Sequence, residues 1–297
     1  MTPTRLRHGT ALLFGMLFGL WATAAPAAPI SDDFESRALG SFPAGPWLDV
    51  AAVVPSATPS DNAPIPSATV VATTDAFGAP TKALQTVGDL GLSKGIYATV
   101  PVSSAYSLAA DIRTLRFADS NALVAGPASD WSMQLTFARV GVANFASTPQ
   151  AGLYASSLTH SWRFFLIGAN GGPNDDFDLG IAANVDTWYS VALDLDATTG
   201  SFHSVIRDTA SGTVLVDNTD AYAGWQPSFG DYDSIAFFGG ETAFANPPVA
   251  GSTTIGSVAQ VDNINISSVA LMPEPTTWAL MGVCLVLMGM ARRRLLG

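Results

Sequence analysis

Apolar and polar residues alternate with a period of two through the middle of this chain and run unbroken at both ends. Along Tyr106 to Leu115, Tyr106, Leu108, Ala110 and Ile112 fall on one side, with Asp111 and Arg113 on the other. Met133, Leu135 and Phe137 alternate with Gln134 and Thr136, and Tyr189, Val191, Leu193 and Leu195 alternate with Ser190, Asp194 and Asp196. That period sends successive side chains to opposite faces of a strand. Ala197-Thr198-Thr199-Gly200 supplies a turn, and Phe202, Ser204 and Ile206 return beyond it, which predicts a hairpin. Further strands are predicted at 68–73, 83–87, 96–102, 162–167, 213–216, 234–238 and 258–267. Short strands separated by Gly, Asp and Pro turns predict an all-β sandwich. The Pro-, Ser- and Ala-rich stretch Pro55 to Pro66 reads as a surface loop.

The ends obey a different rule. Arg5 and Arg7 precede the apolar run Ala11 to Trp21, and the small residues Ala22 to Ala28 follow it. This is the anatomy of a secretory signal peptide, so residues 1–28 are set apart from the fold. At the other end Trp278 to Ala291 is apolar without a break, and Arg292, Arg293 and Arg294 follow at once. As a helix that run spans only about 21 Å against a hydrocarbon core near 30 Å. Thr276, Thr277, Leu295 and Leu296 lengthen it, and arginine stems can snorkel to the interface. A cluster of arginines beside an apolar run fits a transmembrane helix stopping at the cytoplasmic face. The expected organisation is a signal peptide at 1–28, a β-sandwich domain at 29–271 and a sorting and anchor segment at 272–297, with the middle of the chain outside.

Composition sharpens this picture. The chain is 48% hydrophobic and only 12% charged, the opposite of a disordered sequence. Thirteen basic residues against 24 acidic ones leave no basic footprint, so no nucleic-acid partner is expected. The single cysteine, Cys284, excludes a disulfide framework and a cysteine-based zinc site. Only Glu35, Glu241 and Glu274 are glutamates and only Lys82 and Lys94 are lysines, so helix-favouring surface residues are scarce.

Pro273-Glu274-Pro275, then a short apolar helix, then Arg292, Arg293 and Arg294 at the chain end resembles the PEP-CTERM sorting signal of Gram-negative bacteria. The resemblance implies recognition by an exosortase, export through the secretion machinery, and a place in the cell envelope or exopolysaccharide matrix. Pro273, Glu274 and Pro275 would form the recognised motif, a substrate site and not a catalytic one. Two prolines suit it, because they hold the segment extended for a protease cleft. Within the body, Asp32-Asp33-Phe34-Glu35-Ser36 with Gly40 and Trp47, the stretch Val185 to Asp196, and Val261 to Ile266 resemble the concanavalin A-like, laminin-G-like jelly-roll superfamily. They match its opening strand, central hairpin and closing strand. The resemblance implies that first and last strands pair and bring the domain ends together.

Candidate chemistry in the body is sparse. The Glu-x-Asp-x-Glu strand motif of sandwich glucanases is absent, and no Gly-x-Ser-x-Gly elbow accompanies His160 or His203, both of which sit in strand patterns. Asp176 and Asp178, Asp194 and Asp196, and Asp231 and Asp233 are the available aspartate pairs. Period two puts Asp262 on one face with Val258, Ile264 and Ile266, pointing inward, where a carboxylate needs a cation or donors. If first and last strands meet, Asp33 and Glu35, with Asp32 nearby, could join Asp262 around a structural calcium ion, which takes several oxygen ligands. Asn170 to Asp176 is a second oxygen-rich stretch and reads as a plain turn. Trp131, Trp162, Trp188, Trp225 and Tyr222 could stack on sugars, and Trp225, in the loop-like Gly224-Trp225-Gln226-Pro227, is the leading candidate. The expected function is a non-catalytic exported sandwich that binds extracellular polysaccharide. The alternatives are a secreted glycan-active hydrolase using an aspartate pair and a ligand-free structural matrix protein.

Overall fold

The predicted alternating segments become strands within a larger set: β1 (Ile30–Asp32), β2 (Leu48–Asp49), β3 (Ala68–Thr74), β4 (Pro80–Val87), β5 (Lys94–Thr99), β6 (Ala105–Arg116), β7 (Trp131–Ala138), β8 (Gln150–Ser156), β9 (Ser161–Ile167), β10 (Asn174–Ala182), β11 (Trp188–Asp196), β12 (Ser201–Asp208), β13 (Val214–Ala221), β14 (Ser234–Gly239) and β15 (Val258–Val269). The structure, a computed structural model, describes residues 29–49, 68–87, 94–100, 103, 105–118, 131–138, 150–167, 174–221, 232, 234–239 and 257–269. The segments 1–28 and 272–297 lie outside the described residues, and so do Pro273, Glu274, Pro275, Arg292, Arg293, Arg294 and Trp225.

The strands form two antiparallel sheets. One runs β13-β12-β11-β6-β15-β4-β3, with β1 added beside β15, and the other runs β10-β9-β8-β7-β14-β5-β2. Inward residues of both sheets fill the space between them: Leu108, Ile112, Val191 and Leu193 from the first sheet face Leu135, Phe137, Leu153 and Phe164 from the second, and of these all but Leu153 and Phe164 were predicted from alternation. Phe164 stacks on Phe202 at 3.8 Å between ring centres, and Trp162 meets Tyr189 edge-on at 5.5 Å. Each such side chain contributes about 1.5–3 kcal/mol on burial. The hairpin predicted at 188–206 is β11 and β12, closed by Gly200 at φ 72° and by Asp196, which accepts from the amides of Thr198 and Thr199.

First and last strands do pair. Ile30 lies opposite Ile266 and Asp32 opposite Ile264, so the chain enters and leaves the sandwich at neighbouring points. β15 has β6 along one side, while on the other β4 pairs with 258–261 and β1 with 264–266. At this handover one extra residue is inserted: Asp262 faces Asp111, yet Asn265 faces Ala109, and Asn263 takes φ 51°. This is a β-bulge, which re-aims side chains locally. It corrects the inward reading of Asp262. Val261 and Ile264 both point into the core, and Asp262 stands on the outer face beside Gln260.

Three strands escaped the sequence pattern. β2 is two residues long. β8 is buried along its whole length and has no polar face to alternate with. β10 takes in Asn174 to Asp176, read above as the end of a turn. His160 lies in the turn between β8 and β9 at φ 51°, not in a strand, and its ring stacks on Phe117.

Candidate functional site

The turn after β1 is organised by Asp32. One carboxylate oxygen accepts from the Phe34 amide, and the other accepts from Arg37 at 2.6 Å and from the Trp47 indole at 2.7 Å. Asp32 is therefore fully engaged. Lys82 ties the same turn to β4 by donating to the carbonyls of Glu35 and Arg37. Glu35 is exposed and accepts from the Thr81 hydroxyl and the Lys82 amide, bonds that hold its carboxyl below the usual range. Asp33, also exposed, accepts from the Glu35 amide.

Asp262 stands at the bulge with different prospects. It is 5% exposed and accepts from the Asn263 amide. Burial pushes its carboxyl up to about 7; the Asn263 bond opposes this, and the charges of Asp111, Glu35 and Asp33 add to it. Asn263 also donates its side-chain amide to Asp111, across the sheet. The donor set is the all-oxygen kind that suits a hard cation. These side chains alone do not close a site, so a cation here would need further oxygens from backbone or water: among the described residues no three histidine, cysteine or acidic side chains stand close enough to hold a metal.

Next to Asp262 on the same outer face, Gln260, Arg113 and Trp188 form a covered row. Arg113 donates to Gln260 and to Thr73, lies 4.8 Å over the Trp188 ring and reaches Asp186 at 3.3 Å. The Trp188 indole donates to the Thr74 carbonyl, so the β3–β4 hairpin folds across this part of the sheet. Trp188 thus packs under Arg113 and is not free for a sugar, and Trp162 is core. At the tip of that hairpin Phe77 is 75% exposed, in a turn fixed by Asp75, which accepts from the Phe77 and Ala79 amides. Nothing in a lone phenylalanine beside Gly78 marked it in the sequence.

Farther along the sheet, β11 to β13 present an open acidic face. His203 sits between Asp217 at 2.8 Å and Asp194 at 3.7 Å. The hydrogen bond to Asp217 raises its pKa, slight burial opposes this, and the two carboxylate charges add to the rise.

The outer face of the seven-stranded sheet is built otherwise. One cross-strand row places Gln134 opposite Tyr154, Tyr154 opposite Arg163 and Arg163 opposite Asp178; the next places Thr136 opposite Gly152, Gly152 opposite Phe165 and Phe165 opposite Asp176. Arg163 bonds Asp176 at 2.7 Å and Asp178 at 3.1 Å, contacts that hold its guanidinium firmly charged. The Tyr154 hydroxyl donates to Asp176 and the Ser161 hydroxyl to Asp178. Tyr154 and Phe165, edge-on at 5.8 Å, form a small apolar cluster separate from the main core. A side chain at Gly152 would begin 2.0 Å from the Leu135 carbonyl oxygen. Asp176 and Asp178 were visible in the sequence as a pair; Arg163 between them was not, because β10 was read as beginning with a turn.

No family model and no curated protein matches the chain. Among solved structures it is similar to a cellulose-induced protein, with 14% identity over 82% of this chain and 99% of that one and a TM-score of 0.45. It is also similar to arcelin-5, a lectin-like defence protein from Phaseolus vulgaris (10% identity, 75% and 98% covered, TM-score 0.39), and to a carbohydrate-binding module from Bacillus subtilis (12% identity, 68% and 96% covered, TM-score 0.35). The jelly-roll sandwich itself stands on the strand order and the β1–β15 pairing.

Proposed function

We propose that this is an exported, non-catalytic protein of the cell envelope or exopolysaccharide matrix of a Gram-negative bacterium, sorted through Pro273-Glu274-Pro275 and holding extracellular polysaccharide with its sandwich domain. The observation that carries the reading is the pairing of β1 with β15. It brings the point where the chain follows a leader at 1–28 next to the point where it enters a tail segment at 272–297. A domain tied in this way hangs from one corner, and a C-terminal helix with Arg292, Arg293 and Arg294 can anchor it before an exosortase acts. Mass spectrometry of the mature protein tests this. New termini near residue 28 and near the Pro-Glu-Pro motif are expected, and an intact cytosolic chain from Met1 to Gly297 would overturn it.

The non-catalytic part is supported by how the two described aspartate pairs are spent; Asp231 and Asp233 lie outside the described residues. Asp176 and Asp178 neutralise Arg163, and Asp196 caps its own hairpin turn. A hydrolase of the paired-carboxyl type needs one carboxyl kept protonated. The carboxyl that burial pushes up to about 7 is Asp262, and it stands at the bulge on β15, in neither of the pairs on β10 and β11.

A second reading adds a structural calcium at Asp262, with Glu35 and Asp33. It is favoured by a buried carboxyl that faces three like charges and no cation. Calcium would there supply the missing positive charge. A rise in melting temperature on adding calcium chloride, lost in Asp262→Asn, is expected; an unchanged wild-type melting temperature rejects it.

A further inference from the structure

A carboxylate drawn out of water needs a positive partner or donors of its own. Asp262 is 5% exposed, and among the described residues it accepts one hydrogen bond, from the amide of the residue after it. The charges that face it belong to Asp111, Glu35 and Asp33, all negative. Cations on the neighbouring strands and turn are committed elsewhere. Lys82 donates to the carbonyls of Glu35 and Arg37, Arg37 donates to Asp32, and Arg113 donates to Gln260 and Thr73. The surroundings are nevertheless open: Asn263, Asn265, Asp33 and Glu35 are exposed and Asp111 is half-buried. Beside Asp111 the outer face continues through Ser190, Ala109 and Ala192, half-buried side chains too short to overhang it. Neither oxygen of Asp262 is among the fully enclosed unpaired atoms of the described residues, so its free oxygen reaches solvent.

We infer that this part of the eight-stranded sheet's outer face takes an amino sugar of the polysaccharide, with its ammonium group against Asp262 and Asp111. The inference rests on the polysaccharide-binding reading above and names its site and ligand class. It gives the charge at Asp262 an organic partner where the second reading gives it calcium. Charge calls for a cation, and spacing calls for one with several arms. A metal ion draws its oxygens to about 2.3–2.6 Å from a single point, and no three acidic side chains here are grouped closely enough to hold one. A protonated amine directs three hydrogens to separate acceptors, each bond about 2.7–2.9 Å long, and the sugar's hydroxyls reach beyond it. Asn263 holds Asp111 through its side-chain nitrogen, which leaves its side-chain oxygen to accept from a hydroxyl. Asn265, opposite Ala109, presents a further exposed amide, and the sugar ring can lie over Ala109 and Ala192. An uncharged sugar would leave Asp262 without a cation, and a uronate would add one more negative charge.

The test uses the full chain in detergent, as wild type, Asp262→Asn, Asp111→Asn and, as a control on the open acidic face, Asp217→Asn. The probes are a glucosamine trisaccharide, the same trisaccharide fully N-acetylated, xylan and calcium chloride. Calorimetric titration at about pH 6.5, where an amine of ordinary basicity keeps its proton, reads binding, and thermal unfolding reads integrity. Wild type is expected to bind the glucosamine trisaccharide about tenfold or more tightly than the acetylated one, and to bind it more weakly as salt rises from about 0.05 M to about 0.5 M. Asp262→Asn and Asp111→Asn, still unfolding cooperatively, are each expected to lose about tenfold or more, and Asp217→Asn nothing. An equal loss in Asp217→Asn would mean general attraction to an acidic surface and overturns the site, as does amine binding that survives intact in Asp262→Asn. Equal affinity for both trisaccharides, or binding of xylan alone, overturns the amino-sugar class and leaves the polysaccharide reading standing. Calcium that raises the melting temperature and binds more tightly than the amine assigns the site to the metal and overturns the inference. Wild type that binds no saccharide overturns both inference and reading.

Discussion

On the eight-stranded sheet the outer face of β11 to β13 meets water, and on the seven-stranded sheet the outer face of β7 to β9 does not. β13 is exposed at seven of its eight positions, whereas every residue of β8 is buried. The open face carries ordinary surface chemistry, with His203 between two solvated aspartates. The closed face carries Arg163 clamped by two carboxylates, a separate aromatic pair and an unpaired amide. Identical strand geometry therefore supports two kinds of surface, and what separates them is access to water. Polar groups in water are interchangeable, while those shut away from it must be satisfied or destabilise the fold.

The comparison is broken most severely at Gly152. Adding a methyl group there forces it into the β7 backbone, which cannot rotate away as a side chain would. Gly152→Ala is expected to cost about 3 kcal/mol, at the upper end for overpacking, read as a lowered urea midpoint. A loss below about 1 kcal/mol would mean that β7 and β8 can separate, and that the closed face is loosely built.

Arg163→Leu comes next. It leaves half-buried Asp176 and exposed Asp178 beside each other with no counter-charge, and a loss of about 1–2 kcal/mol is expected. Arg163→Met, which keeps much of the stem without the charge, should lose about as much. A much smaller loss in Arg163→Met would indicate that the arginine stem, and not its charge, holds β9 and β10 together.

Asp262→Asn has the opposite sign. The folded chain pushes this carboxyl up to about 7 from its ordinary 3.8, so it binds more protons than the unfolded chain between those values. Wild-type stability attributable to Asp262 therefore falls as pH rises through that window. In chelator at about pH 8 the asparagine variant should be more stable by about 1–2 kcal/mol, and below about pH 4 the difference should vanish. Finding the variant less stable in chelator at pH 8 would mean that Asp262 has a compensating donor.

The open face should respond least. The His203 pKa is raised, so its favourable contribution is complete below the unfolded value of 6.5 and is lost as pH climbs through the folded one. With the ring well exposed, His203→Gln is expected to shift stability by only a few tenths of a kcal/mol. A larger effect in a pH series of melting curves would show that this face is not simply solvated.

Legibility in the sequence followed the same division. β6, β7 and β11 were read from alternation because one face of each differs in polarity from the other. β8, Gln150-Ala151-Gly152-Leu153-Tyr154-Ala155-Ser156, offered no contrast because both of its faces are buried. Asp262 was assigned to the wrong face because the count from Val258 to Ile266 assumed an uninterrupted strand. The clue was the spacing of three between Val261 and Ile264, both core residues. Gln134 was read as an ordinary outward polar residue; its burial and its unpaired amide had no sequence signal.

The chain's own order of residues determined the strand-rich body, the hairpin of β11 and β12 and the candidate leader and tail, since these depend on neighbours a few positions apart. The resemblance to jelly-roll domains supplied the meeting of first and last strands. Only the tertiary structure decided which outer face is closed, where β15 takes its extra residue, and that Arg163 stands between Asp176 and Asp178. Those outcomes depend on register between strands distant along the chain, and a one-residue change in register turns every side chain to the other face.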